Sequence, residues 1–125
     1  MGAIRRILVA VKDPTSRHVA AVSKALQIAQ GTRAQIELFH AISTPLLADA
    51  YVYSPHKLVQ AERAIRARHL AALERTARSL RRRGIKASVS AEWDFPAHEA
   101  IIRRASRIGA DLIVAEKHAG RRIAH

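Results

Sequence analysis

Residues 5–13 read Arg-Arg-Ile-Leu-Val-Ala-Val-Lys-Asp, and the fold class turns on this stretch. Its core, Ile7 to Val11, is apolar at odd and even positions alike. A strand with one wet face alternates, so a continuous run predicts a strand buried on both faces, as in a parallel sheet. Asp13-Pro14 ends the strand, because proline lacks a donor. Thr15 and Ser16 are the expected helix cap. Val19, Val22, Ala25, Leu26 and Ala29 then recur at helical spacing, and Gly31 is the expected stop. This is one β-α unit.

Working outward, residues 34–42 form a second strand, with Ile36, Leu38 and His40 alternating against Gln35, Glu37 and Phe39. An irregular stretch, 43–54, carries Pro45, Tyr51 and Tyr53. Ser54-Pro55 pairs a capping hydroxyl with proline at the first helical position. The helix that follows is expected over 55–83, with Gly84 as its end. Its apolar stripe includes Leu58, Ile65, His69, Leu73, Ala77 and Leu80. Arg63, Arg68, Arg75, Arg78, Arg81 and Arg82 occupy most of the opposite side, which reads as a solvated face. Glu62 with Arg66 and Glu74 with Arg78 are spaced for helical ion pairs.

A third strand is expected over 86–93, a helix from Pro96 to Ile108 with Gly109 closing it, and a fourth strand over 111–115. Every crossover is helical. A mainly parallel sheet covered on both faces follows. Such sheets bind ligands beyond the carboxyl ends of their strands. The tips are Lys12-Asp13, His40-Ala41, Trp93-Asp94 and residues 116–120.

The chain has 125 residues, 49% hydrophobic, with a formal net charge of +12 and no cysteine. Disulfides, thiolate metal sites and a cysteine nucleophile are excluded. No apolar run is long enough to span a bilayer, and a single domain in the cytoplasm is expected. The charge invites polyanions. However, arginine outnumbers lysine 17 to 5 beside 25 alanines, a compositional skew that needs no nucleic acid to explain it.

Phosphate-cradling GxxxxGK[ST] and GxGxxG loops are absent, as is a GxSxG elbow. The first strand ends in Lys12-Asp13 rather than in the acidic pair of phospho-acceptor domains. None of the seven histidines forms an HxxxH or HExxH pair, so no metal site is expected. His40 and His69 read as packed residues. Trp93 and Phe95 read as cover for a sheet edge or a helix start. His118, after the fourth strand, is the histidine best placed for a ligand.

Three pieces carry a family resemblance: RRILVAVKD at 5–13, AQIELFHAIS at 34–43 and PAHEAIIRRASRIGADLIVAEKHAGR at 96–121. Together they resemble the universal stress protein family. The helix containing EAI followed by GADLIVA is the most specific, and the spacing after Pro96 looks most like the first domain of tandem, two-domain members. The resemblance implies an α/β, adenine-nucleotide-hydrolase-like (flavodoxin-like) three-layer fold with a parallel sheet in order 3-2-1-4-5. It also implies ATP as the candidate cofactor and a homodimer or second tandem domain as partner. A regulatory, non-catalytic binding module is expected. The SGGxD and HxGH signatures of adenylating relatives are missing.

In the family pattern an aspartate at the first strand tip contacts the nucleotide, the residue after the strand-two histidine lines the adenine pocket, and glycines after strand four wrap the phosphates. Here Lys12 takes the aspartate's place and Asp13 follows it. Glu116 and Ala119 align with the first two glycines, leaving Gly120 one position out of register. A carboxylate at Glu116 repels phosphate, which counts against ATP binding. The nucleotide site expected from the resemblance is Lys12, Asp13, Ala41, His118 and Gly120. Strand five is absent from these residues, so the chain reads as a single domain (1–125) truncated after strand four. The alternative function is a basic nucleic-acid-binding module using the arginine face of helix 55–83.

Overall fold

The computed structural model describes residues 3–17, 19–43, 54–93 and 97–116. The elements, in chain order, are β1 (Arg6–Ala10), α1 (Ala20–Thr32), β2 (Gln35–Ile42), α2 (Pro55–Arg82), β3 (Ala87–Trp93), α3 (Ala97–Ile108) and β4 (Leu112–Ala115). The four strands form one sheet in order β3-β2-β1-β4, and all three pairings are parallel. The expected order is thus present as far as β4. β1 lies inside the sheet, and Ile7, Leu8 and Val9 are fully buried, as an apolar run of both parities requires.

Parity then distributes the core between two layers. Ile7, Val9, Ile36 and Leu38 pack with Ala21, Ala25 and Ala29 of α1 and with Leu73, Ala77 and Leu80 of α2. Leu8 and Phe39 point the other way, onto Ala100 and Ala105 of α3. Among the described residues, two helices therefore cover one face and a single helix the other. Phe39, on the same parity as Gln35 and Glu37, is fully buried.

Several helix ends differ from expectation. α1 starts at Ala20 with Val19 at its N-cap and no side-chain cap. Thr15 is unavailable because its amide and hydroxyl both donate to the Asp13 carboxylate, at 3.0 and 2.6 Å. Gly31 lies inside α1, and the left-handed terminus falls on Arg33, at φ 62°, whose N–H donates to Ala29 O. Ser54 makes no side-chain cap to α2, so Pro55 alone marks that start. Gly84, at φ 85°, does end α2 in the conformation that favours glycine.

The ion pairs on α2 also differ. Arg81, rather than Arg78, pairs with Glu74, and it also donates to Ala87 O at the start of β3. Arg66 donates to Ala91 O at 2.7 Å instead of pairing with Glu62. Asp111 precedes β4 and accepts the Arg5 and Arg6 amides at 2.8 and 3.0 Å, which ties the β4 entrance to β1. Those bonds hold its carboxyl below the ordinary value.

With 28 residues α2 is roughly 42 Å long, whereas the eight residues of β2 span roughly 26 Å. Its buried residues, Ala72, Leu73, Ala77 and Leu80, all lie in the second half. The first half therefore overshoots the carboxyl ends of the strands.

Candidate functional site

Parallel strands run their carboxyl ends to one edge of the sheet, and a cavity of about 480 Å³ opens there on the α3 side. Val11, Phe39, Ala41, Ile101 and Ala115 give it an apolar lining. Its polar members are Lys12, His40, Ser43, His98 and Glu116. Of the residues expected at a nucleotide site, Lys12 and Ala41 line this cavity. Asp13 follows Lys12 but is absent from the lining, since its carboxylate is turned to Thr15. His118 and Gly120 lie outside the described residues, as do Asp94, Phe95 and Pro96.

His98, Ser43 and Ile101 are not among the site residues expected from sequence. His98 stands in the first turn of α3. A helix that follows a parallel strand begins at that strand's carboxyl end, so this turn had to face the tips. That was the available signal.

Glu116 accepts the Lys12 amide at 2.8 Å, which clamps the end of β1 to the end of β4. Glu116 is the residue that the sequence resemblance aligns with the first glycine of the family pattern. Within the cavity lining, His40 is buried and its Nδ1 lies 2.7 Å from Val11 O, so Nδ1 carries the proton and donates. The His69 ring of α2 packs on it at 4.7 Å between centroids, tilted by 43°. Both histidines are packed residues, as expected.

Charge around this pair is uneven. The Thr15 hydroxyl and amide hold the Asp13 carboxyl below its ordinary value, with smaller contributions from His40 and His69. Burial pushes the His69 imidazole down; His40 and Arg68 push it the same way, and Asp13 opposes them. The pair therefore favours neutral His69 beside an ionised Asp13.

The family model described as Universal stress protein family matches residues 3–125. The chain belongs to that family. A universal stress protein family structure from Burkholderia pseudomallei is 26% identical, with a TM-score of 0.65, covering 95% of this chain and 86% of that one. Two more distant structures share the fold. A universal stress protein in complex with cAMP is 20% identical, with a TM-score of 0.52 and coverage of 90% and 72%. A family protein from Arabidopsis thaliana with AMP bound is 13% identical, with a TM-score of 0.52 and coverage of 93% and 78%. No curated protein matches the chain. As a universal stress protein it has the three-layer α/β fold of its family, and no helix among the described residues is long and apolar enough to cross a membrane.

Proposed function

We propose that this universal stress protein is a non-catalytic binding module that takes an adenine nucleoside or its monophosphate at the strand tips. The observation carrying this reading is the cavity that brings Val11, Lys12 and Ala41 together with His98 and Glu116. An adenine ring gains from apolar walls and needs only a few polar edges. Ala41 would lie against the base, with Lys12 and Asp13 near the sugar. His118 and Gly120, expected from the resemblance, lie outside the described residues. AMP bound to one relative and cAMP to another support a monophosphate. ATP is disfavoured because Glu116 adds a negative charge beside the path of the phosphates.

Titration calorimetry with adenosine, AMP and ATP tests this reading. Adenosine and AMP should bind more tightly than ATP, and Ala41→Trp should abolish binding by filling the cavity. Glu116→Gln should raise ATP affinity several-fold. Tightest binding of ATP by the unmodified chain, or no binding of adenosine, overturns the proposal. The same reading implies the cytoplasm as compartment, and a second copy or tandem domain against β4, whose Ile113 is exposed on the α3 side.

A further inference from the structure

A second concavity lies on the opposite layer, in the groove between α1 and α2. It measures about 620 Å³, larger than the strand-tip cavity and in the range of small-molecule sites. Val19, Val22, Leu26, Ala72 and Leu80 supply its apolar portion. Five hydroxyl residues line it: Thr15, Ser16 and Ser23 from the α1 side, and Thr76 and Ser79 from α2. Three arginines, Arg17, Arg75 and Arg83, also line it, and among the described residues no aspartate or glutamate does. Among the described residues none of the three arginines makes an ion pair or a side-chain hydrogen bond.

This is unlike the other arginines that meet the fold. Arg66, Arg81 and Arg104 each spend their guanidinium on a carbonyl or a carboxylate. Positive charge gathered in a concavity whose described lining holds no carboxylate raises the local potential for an anion, although the Asp13 carboxylate is bonded to Thr15 of that lining. Arg75 and Arg83 stand about 12 Å apart along the helix, with Ser79 midway between them. A guanidinium fork flanked by hydroxyls matches a phosphoryl group, whose three terminal oxygens accept several donors at once. Meanwhile Val22, Leu26 and Leu80 offer contact to a carbon body rather than to a bare ion.

We infer that the α1–α2 groove of this protein is a binding site for a small phosphorylated organic molecule, held by Arg75 and Arg83 with its apolar portion against Val22, Leu26 and Leu80. The site is independent of the strand tips. It also differs from a nucleic-acid surface: Arg63, Arg68, Arg78 and Arg82 of α2, exposed like Arg75 and Arg83, do not line it.

The probe is 1-naphthyl phosphate, with inorganic phosphate and 1-naphthol as its two halves, titrated against the full chain. One equivalent should bind, at least about tenfold more tightly than either half. Replacing Arg75 and Arg83 together by glutamine should weaken binding about tenfold or more, because both forks are lost. Arg63→Gln with Arg78→Gln should leave it unchanged, and so should Ala41→Trp at the strand tips. Methyl resonances of Val22, Leu26 and Leu80 should shift on titration, which reads the site without any substitution. Equal loss in the Arg63/Arg78 pair, affinity no better than that of inorganic phosphate, or loss on Ala41→Trp with still groove methyls would each overturn the inference.

Discussion

The two faces of the sheet are built on different physics. Under α1 and α2 the strands present Ile7, Val9, Ile36 and Leu38, an aliphatic layer closed by alanines and leucines. Under α3 the same strands present Leu8 and Phe39, but beside them lies an ion network. Glu37 accepts Arg104 Nε at 2.6 Å and the Ser90 hydroxyl at 2.6 Å, while Arg107 reaches Glu92 at 3.2 Å. Among the described residues one helix covers this face, whereas two cover the other. The β3 half of the thinner face is polar accordingly, with Ser88, Ser90 and Glu92. A covered face is stabilised by packing, and a half-covered one by pairing charges that burial would otherwise penalise.

The comparison breaks most visibly by cavity formation. Leu38→Ala should destabilise by about 2–5 kcal/mol, since the α1–α2 layer offers little slack for collapse. Denaturant unfolding measures it. A loss below about 1 kcal/mol would mean that this face is not close-packed.

Next in size is the ion network. Arg104→Met leaves Glu37 without its guanidinium and should cost about 1–3 kcal/mol, as a half-buried acceptor loses its donor. Pairing with Arg104 and Ser90 outweighs burial and holds the Glu37 carboxyl below its ordinary value of 4.5. Its contribution is therefore present above pH 4.5 and is lost as the pH falls through the lower folded value. In Arg104→Met that acid-limb dependence should shrink, and an unchanged limb would remove the network from the account.

The His40–His69 contact gives a smaller effect at higher pH. His69 is depressed below 6.5, so the folded state binds its proton less readily than the unfolded chain does. Stability should decline as the pH falls from 6.5 through the folded value, and His69→Gln should flatten that part of the profile. A profile steeper in the variant would contradict the assignment. Smallest of all is the exposed Glu74–Arg81 pair, where Glu74→Gln should leave the melting temperature within error.

Much of this architecture is legible in sequence because burial leaves a local record. Apolar residues at both parities in 7–11 mark an interior strand, and helical spacing in 72–80 marks the buried half of α2. Termini were less legible. Thr15 and Ser54 have the chemistry of caps, but Asp13 takes both Thr15 donors and Ser54 makes no side-chain cap. Arg33 rather than Gly31 adopts the left-handed turn, because the chain leaves α1 two residues later than glycine's preference suggests.

The candidate site divides the same way. Strand tips are predictable from β-α order alone, so Lys12 and Ala41 could be named, and the departure at Glu116 could be seen from its alignment with a glycine. That Glu116 holds the Lys12 amide depends on β4 lying beside β1, a neighbour relation separated by 104 residues. Glu37 and Arg104, 67 residues apart, carry no periodic signal of their partnership. Nor does any spacing tell that Arg17, Arg75 and Arg83 share a groove while Arg63 and Arg78 do not. Sequence by itself determined most of the buried strand residues, the parallel sheet and the edge that carries the candidate site. Tertiary structure alone decided which helices share a face and which charges meet, because contacts between distant segments follow strand order rather than local period.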